Sequence, residues 1–179
     1  MVSIPDSERL SYALMDASDA DHLYDLDQDP AVMKYINGGK ITSREEVDTV
    51  FLPRMAAYRD SEKGWGLWKI SLLESNEFIG WVLVRPMHFF SEQPDWNDWE
   101  LGWRLKQIHW GYGYATEAAR QIMQSLSETQ KLERFSAIAM PGNTASISIM
   151  KKLGMQYQKT DVHKDPLGDE EVVFYSVGL

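Results

Sequence analysis

A glycine-rich turn, Trp110-Gly111-Tyr112-Gly113-Tyr114-Ala115, separates a strand-like segment from a helix-like one. In such a turn the first N–H groups of the helix converge and the helix dipole adds partial positive charge, so an anion can bind there. No Gly-Lys-Ser/Thr follows, which excludes a Walker loop, and Thr116 breaks the Gly-x-Gly-x-x-Gly pattern of dinucleotide sites. Taken alone, the turn is equally well a packing turn whose glycines bind nothing.

Two sequence blocks give this turn a context. The first, residues 99–119, ends with the turn and the start of the next helix, and the second joins Asn143 and Ser146 to Lys152-Leu153-Gly154-Met155. Together they resemble the GNAT N-acetyltransferase superfamily, most strongly its RimJ/RimL-like branch of ribosomal-protein N-terminal acetyltransferases. The coenzyme A signature of that family is Arg or Gln, two residues, Gly, one residue, then Gly or Ala. Gly113 and Ala115 match its last two positions.

The resemblance implies that acetyl-CoA is the co-substrate and that its acetyl group passes to a primary amine. It places the pyrophosphate on the N–H groups of about Gly111 to Thr116, and the pantetheine arm along the strand just before the turn. Asn143 and Ser146 are expected near the thiol or the pantetheine. The cofactor-binding residues implied are Trp103, Arg104, Leu105, Trp110, Gly111, Tyr112, Gly113, Tyr114, Ala115, Thr116, Asn143 and Ser146.

Glu100, on the strand that precedes the turn, is the predicted general base. A lysine-like amine has a pKa of about 10.4, and it must lose a proton before it attacks a thioester. A carboxyl pKa raised by tryptophans 96, 99 and 103 would suit this role. The alternative is a strand carboxylate that is solvated or bonded to a neighbour. Ser146 is the candidate proton donor to the leaving thiolate, with helix capping as its alternative.

Two positions depart from the family pattern. Trp110 stands where relatives have Arg or Gln, so phosphate binding is left to the backbone donors. Met150 stands four residues before Gly154, where many relatives place a tyrosine that protonates the thiolate. The chain has no cysteine, which excludes an acyl-cysteine intermediate and makes direct transfer in a ternary complex the predicted route.

A segment that mixes aromatic and acidic residues, 87–99, precedes Glu100. Its rings, with the carboxylates of Glu92, Asp95 and Asp98, are one candidate surface for a cationic acceptor. A surface loop that covers a core edge or meets another subunit is the equal alternative.

The elements that must position these residues are strands and helices in mixed order. Helices are predicted at about 18–26, 31–36, 44–59, 115–126 and 143–153, with Ser43 and Glu46 in a capping box. Strands are predicted at about 8–14, 65–73, 77–85, 98–105, 133–139, 155–162 and 171–177, with a loop over 86–97. This order predicts a single α/β (α+β) domain over residues 1–179. Its central mixed, largely antiparallel sheet has about seven strands flanked by helices, as a GNAT-like fold requires.

Composition and charge exclude several other functions. A net charge of −9 argues against a sequence-independent grip on nucleic acid. No apolar run approaches the roughly 20 residues of a membrane span, no secretory signal is present and no disulfide can form, so a cytoplasmic protein is predicted. The four histidines lack ligand spacing, and no metal is expected.

The expected partner is a protein N-terminus or an amine-bearing small molecule, with a monomer and a homodimer both open. A non-catalytic acyl-CoA-binding sensor or interaction domain with the same fold is the competing function. A nucleotide-phosphate site is a third, and it predicts stabilisation by ATP or NAD in place of coenzyme A.

Overall fold

Seven strands make up the sheet in the computed structural model, which describes residues 1–179. They are β1 (Leu10–Leu14), β2 (Gly66–Leu72), β3 (Phe78–Met87), β4 (Asp95–Leu105), β5 (Arg134–Ala139), β6 (Gln156–His163) and β7 (Glu170–Gly178). Their spatial order is β1-β2-β3-β4-β5-β7-β6, and every neighbouring pair is antiparallel except β4 and β5. The prediction of a mixed, largely antiparallel seven-stranded sheet is confirmed.

Five helices flank this sheet: α1 (Ala20–Leu26), α2 (Pro30–Asn37), α3 (residues 44–58), α4 (Tyr114–Thr129) and α5 (Thr144–Lys152). Helix α3 contains a wide π turn at Val47–Phe51, in which the N–H of Leu52 donates to the carbonyl of Val47. Pro53 is the next residue after Leu52. Because proline has no N–H and its ring crowds the carbonyl four residues earlier, a widened turn is the expected local response.

Two local predictions meet different outcomes at the helix starts. The capping box of Ser43 and Glu46 is confirmed, with Glu46 N–H donating to Ser43 Oγ at 3.1 Å and Ser43 N–H donating to Glu46 Oε2 at 2.8 Å. The helix predicted at about 18–26 forms as α1, and Asp19 stands at its N-cap position, but the Asp19 side chain makes no cap hydrogen bond to α1. Asp16 instead caps a short 3-10 turn that leads into α1, and Asp19 completes that box because it reaches back to the N–H of Asp16.

The loop predicted over 86–97 is also shorter in the structure. Strand β3 continues to Met87 and β4 already begins at Asp95, so only 88–94 connect them. The pairing of Met87 with Asp95 closes this connection after a register shift at Pro86. Composition concealed the pairing because Pro and acidic residues are normally depleted in strands.

The two faces of the sheet pack against different helices. Trp99 and Leu101 of β4 lie in the larger core with Ile122 and Leu126 of α4. Because side chains alternate along a strand, Glu100 faces the opposite side. That side is covered by α1 and α3 through a second cluster, which contains Met15, Leu23, Val47, Met55, Tyr58, Leu67 and Leu83. None of the helices has the length and apolar character that crossing a membrane demands.

Strands β4 and β5 separate after a short contact. They pair in parallel at only three positions, Asp98 with Arg134, Trp99 with Phe135, and Glu100 with Ser136. Beyond Glu100, β5 pairs only with β7, and the last five residues of β4 have no strand on that side. The sheet therefore opens into a wedge that begins at Glu100.

Candidate active site

A cleft of about 640 Å³ lies beside the free end of β4. Its volume is within the range of small-molecule sites. It is lined by the end of β4, the glycine turn, the first turns of α4 and α5, and one side of α2. The residues that the sequence predicted and that line it are Trp103, Arg104, Leu105, Trp110, Gly111, Gly113, Tyr114, Ala115, Thr116, Asn143 and Ser146.

Six consecutive N–H groups at the glycine turn have no protein acceptor. The N–H of Trp110 donates to Gln107 and that of Glu117 donates to Gly113, whereas the N–H groups of residues 111–116 between them form no hydrogen bond within the protein. Gly113 caps α4 without any side-chain acceptor. Unpaired donors at a helix N-terminus, with the helix dipole behind them, form an anion site.

The conformation of the turn accounts for its two glycines. Gly111 and Gly113 have φ values of 82° and 80°, in the left-handed region that other residues rarely adopt. A Cβ at Gly111 would meet no atom within 4 Å, so the backbone angle, not crowding within the protein, requires glycine there.

The side chain of Tyr112 lies outside the cleft lining. It is 60% exposed and stacks on Tyr114 at a centroid distance of 5.6 Å. Among the cofactor-binding residues predicted from sequence, Tyr112 thus offers only its N–H group to the cleft. Trp110 is held differently, because its indole N–H donates to the carbonyl of Leu105 at 2.9 Å.

The N-terminal segment clamps the glycine turn from outside. Arg9 donates from Nη1 to the carbonyl of Tyr112 at 2.9 Å and from Nε to Glu117 at 2.7 Å. Glu117 also accepts from the N–H of Arg9 and from the hydroxyl of Ser7. Burial opposes it, but these hydrogen bonds hold the pKa of Glu117 below its usual value. Sequence spacing cannot show this clamp because its partners are about 110 residues apart.

Asn143 and Ser146 divide the work at the start of α5. The side-chain oxygen of Asn143 accepts from the N–H of Ser146 at 3.2 Å, so Asn143 is the cap. The Ser146 hydroxyl accepts from the indole N–H of Trp103 across the wedge at 3.3 Å. Its own proton is therefore free to be donated into the cleft. Met150, at the position of the family tyrosine, is buried in the core and has no proton to give.

Sequence reasoning missed the contribution of α2. Its residues Lys34 and Tyr35 line the cleft opposite the glycine turn, and Lys152 of α5 adds a second cation. The lysines that pair with carboxylates lie elsewhere, so these two ammonium groups are available to an anion. The Asp29-Pro30 start of α2 is readable as a helix start, but its place beside the cleft depends on the tertiary fold.

Glu100 lies on the other face of β4 and does not line the cleft. It is 4% exposed, and its Oε2 accepts from Nε of Arg85 on β3 at 2.7 Å. The tryptophans expected around it point away, because Trp99 packs on Phe135 and Trp103 bonds to Ser146. Of the two interpretations of Glu100, its bond to a neighbour is present in the structure. Its place at the mouth of the wedge keeps the catalytic role open.

Two acids of the aromatic and acidic segment are already paired. Arg134 contacts Asp95 at 3.6 Å and Asp98 at 3.0 Å, and Asp98 also accepts from the hydroxyl of Ser136. Burial raises the pKa of Asp98 although these bonds oppose the shift. The rings of the segment cover the core, since Phe89 and Phe90 pack edge-on against Tyr58. The covering of a core edge is therefore the interpretation that the geometry favours.

No group of three or more His, Cys, Asp or Glu side chains comes together in a way that could hold a metal ion. The functional chemistry available at this site is that of an anion cleft on one face of β4 and a buried ion pair on the other.

A family model described as the acetyltransferase (GNAT) domain matches residues 9–156. The chain belongs to the GNAT acetyltransferase family. It is therefore an acetyl-CoA-dependent acyltransferase, as the sequence predicted.

Individual relatives agree with this assignment. The Bacillus subtilis protein YkkB is 31% identical over 159 residues, which are 86% of each chain. The FsC-acetyl coenzyme A-N(2)-transacetylase of Aspergillus fumigatus is 31% identical over 158 residues, which are 85% of this chain and 66% of that protein. A solved structure of RimL, a ribosomal α-N-protein acetyltransferase in complex with coenzyme A, matches with a TM-score of 0.75 at 17% identity. It covers 98% of this chain and 97% of RimL, and the likeness establishes the shared fold.

Proposed function

We propose that this chain, acting as one domain over residues 1–179, transfers the acetyl group of acetyl-CoA to a primary amine by direct attack. The observation that carries the proposal is the run of six unpaired N–H groups at residues 111–116, beside a cleft with two free lysines. Such a site suits a ligand with several phosphate charges better than a neutral one.

The residues present fit coenzyme A along the whole cleft. The N–H groups of the glycine turn take the pyrophosphate, and Lys34 and Lys152 supply cations for further phosphate charge. The unpaired end of β4 offers backbone groups to the amides of the pantetheine arm, as an added strand would. When bound, acetyl-CoA supplies an acetyl group activated as a thioester.

Two side chains are placed to move protons. Glu100 at the mouth of the wedge has one carboxylate oxygen, Oε1, that accepts no hydrogen bond from the protein, and we assign it the proton of the attacking amine. As the N–C bond forms and the C–S bond breaks, the leaving thiolate takes a proton from Ser146, whose hydroxyl hydrogen is free, and Ser146 takes a proton from solvent in the cleft, so that it ends the step as a hydroxyl. No cysteine is available for a covalent intermediate.

The acceptor is the finer part of the proposal. The names of two relatives indicate different acceptors, an N(2) position in FsC transacetylation and a protein α-amine for RimL. The RimJ/RimL-like branch therefore stays a prediction from the sequence blocks. A protein N-terminus and a small-molecule amine are both candidate acceptors.

The test measures thiol release from acetyl-CoA across a panel of amines, amino acids and peptide N-termini, with mass spectrometry of the product. We expect at least one acceptor to accelerate release and to gain one acetyl group. The Glu100→Gln variant should lower kcat by about 100-fold, as expected for loss of a general base, with the KM for acetyl-CoA unchanged.

Glu128→Gln is the matched control, because Glu128 is an exposed carboxylate on α4 away from the cleft. Full activity of Glu100→Gln would remove Glu100 as the base. Tight coenzyme A binding without acetylation of any acceptor would instead support the non-catalytic acyl-CoA-binding domain.

A further inference from the structure

Arg85 is a buried cation with unused donors. It is 7% exposed, and its Nε donates to Glu100 at 2.7 Å. Its two terminal nitrogens, Nη1 and Nη2, donate no hydrogen bond to any protein atom. Buried polar groups are normally hydrogen-bonded, and an arginine remains charged at all working pH values. These four N–H donors therefore have no protein partner and are left to solvent or to a ligand.

Solvent reaches the unused atoms of this pair. A few buried side-chain atoms have neither solvent contact nor a hydrogen-bond partner, and all of them belong to other residues. The terminal nitrogens of Arg85 and Oε1 of Glu100, which have no protein partner, are therefore in contact with solvent. A small molecule that contacts Oε1 of Glu100 from solvent therefore also lies beside the two terminal nitrogens of Arg85.

Aromatic rings hold the Arg85 guanidinium in place. Its central carbon lies 5.4 Å from the ring centroids of both Tyr58 and Phe90. Phe90 reaches this position because the chain turns sharply at His88, which has a φ of 59°, and the N–H of Ser91 donates back to its carbonyl. A guanidinium flanked by rings has lost much of its freedom before a ligand arrives, which favours bidentate recognition of an anion.

The charges around Glu100 already balance. Arg85 neutralises Glu100, and Arg54 pairs with Asp165 of the β6–β7 connection at 2.5 Å. Burial lowers the pKa of His163, which favours the neutral form of its ring. An acceptor whose only charge is its ammonium group would lie nearly as close to the positive charge of Arg85 as to the carboxylate of Glu100. An acceptor that brings its own negative charge avoids that repulsion.

We propose that the acceptor of this enzyme carries a carboxylate next to its amine, as an amino acid does, and that the free terminal nitrogens of Arg85 bind this carboxylate. The amine then lies at Oε1 of Glu100. The inference rests on the proposed function and narrows it, because a lysine side chain or a polyamine lacks the carboxylate.

The experiment compares kcat/KM for the twenty amino acids with kcat/KM for their carboxamides, which keep the amine and lose the negative charge. We expect the preferred amino acid to exceed its amide by about 10- to 100-fold, the worth of hydrogen bonds to a charged group. Arg85→Gln should abolish this preference, mainly by raising the KM for the amino acid. Because Arg85 also pairs with Glu100, the variant should lose rate with both substrates, but the loss in kcat/KM should be about 10- to 100-fold larger with the amino acid than with the amide. Arg85→Lys should restore part of the preference, since it keeps the charge and loses the fork.

Arg44→Gln is the matched control. Arg44 also pairs with a carboxylate and lies over a tyrosine ring, but it is exposed and its partners are Asp21 and Tyr24, not Glu100. It should retain the preference for the acid over the amide.

The outcomes are separable. Equal rates of wild type with acid and amide, or an equal loss with both in Arg85→Gln, would overturn the inference and leave the acetyltransferase intact. Acetylation of no acceptor at all would overturn the proposed function itself. If Arg85→Gln does not fold, the comparison of acid and amide with wild type decides alone.

Discussion

Two polar side chains at the start of α5 have distinct roles although they are three residues apart. The side-chain oxygen of Asn143 accepts a hydrogen bond from the first turn of the helix. The Ser146 hydroxyl accepts from the indole of Trp103, and its own proton is free. The sequence left both roles open for Ser146, because serine is common at helix starts. Because Asn143 is the cap, helix capping no longer explains Ser146.

We predict that Ser146→Ala lowers kcat by about 100-fold, because the leaving thiolate loses its proton donor. The free energy of unfolding should change little, since the cap is intact. Kinetics with the best acceptor, together with chemical denaturation, measure both quantities.

Asn143→Ala provides the contrasting variant. It removes the cap and should cost about 1 kcal/mol of stability. Should Ser146→Ala retain the wild-type kcat, the thiolate is protonated by another group or by water.

The glycine turn depends on an element that is distant in sequence. Arg9 and Ser7, just before β1, bind Glu117 and the carbonyl of Tyr112, so the N-terminal segment fixes the start of α4. Glu117 first reads as a dipole-compensating residue of the first helical turn. In the structure Glu117 joins the N-terminal segment to the start of α4.

We predict that Glu117→Gln lowers the free energy of unfolding by about 2 kcal/mol at pH 7, from the loss of charge-assisted hydrogen bonds. The folded pKa of Glu117 lies below the ordinary value of 4.5. Its contribution is therefore complete above pH 4.5 and is lost as the pH falls through the folded pKa. The difference in free energy of unfolding between wild type and variant should shrink as the pH falls below 4.5 and vanish below the folded pKa. A difference that persists undiminished at pH 3 would contradict this account.

The sequence predicts those elements whose signals lie within a few neighbouring residues. The capping box at Ser43, the glycine turn and the seven strand-like runs are set by neighbours within a few residues. The pairing of Arg85 with Glu100 and the approach of α2 to the cleft depend on contacts between distant segments. Alternation along a strand places Glu100 and Trp99 on opposite sides of the sheet, whereas the sequence-based prediction placed the tryptophans around the carboxylate because they are near it in sequence.

An acidic molecule here presents a cationic cleft. The net charge of −9 belongs to the chain as a whole, whereas the cleft has free lysines and six N–H donors. Long-range attraction of a polyanion is therefore weak, and recognition depends on short-range contacts.

We predict that coenzyme A raises the melting temperature and that ATP and NAD at equal concentration do so much less. At 100 times its Kd, coenzyme A should add about 2.7 kcal/mol to the free energy of unfolding. Differential scanning fluorimetry at several ionic strengths measures this. A larger stabilisation by ATP or NAD would favour the nucleotide-phosphate site over the acetyltransferase.

The separation of β4 from β5 has a mechanical consequence. Only three residue pairs join the block β1–β4 to the block β5–β7-β6, and helices cover the seam. The angle between the two blocks is therefore set by few backbone hydrogen bonds and mainly by the hydrophobic core that both blocks share. The width of the cleft is then a property of the angle between two half-sheets, and the core packing that sets this angle also sets the room for a ligand.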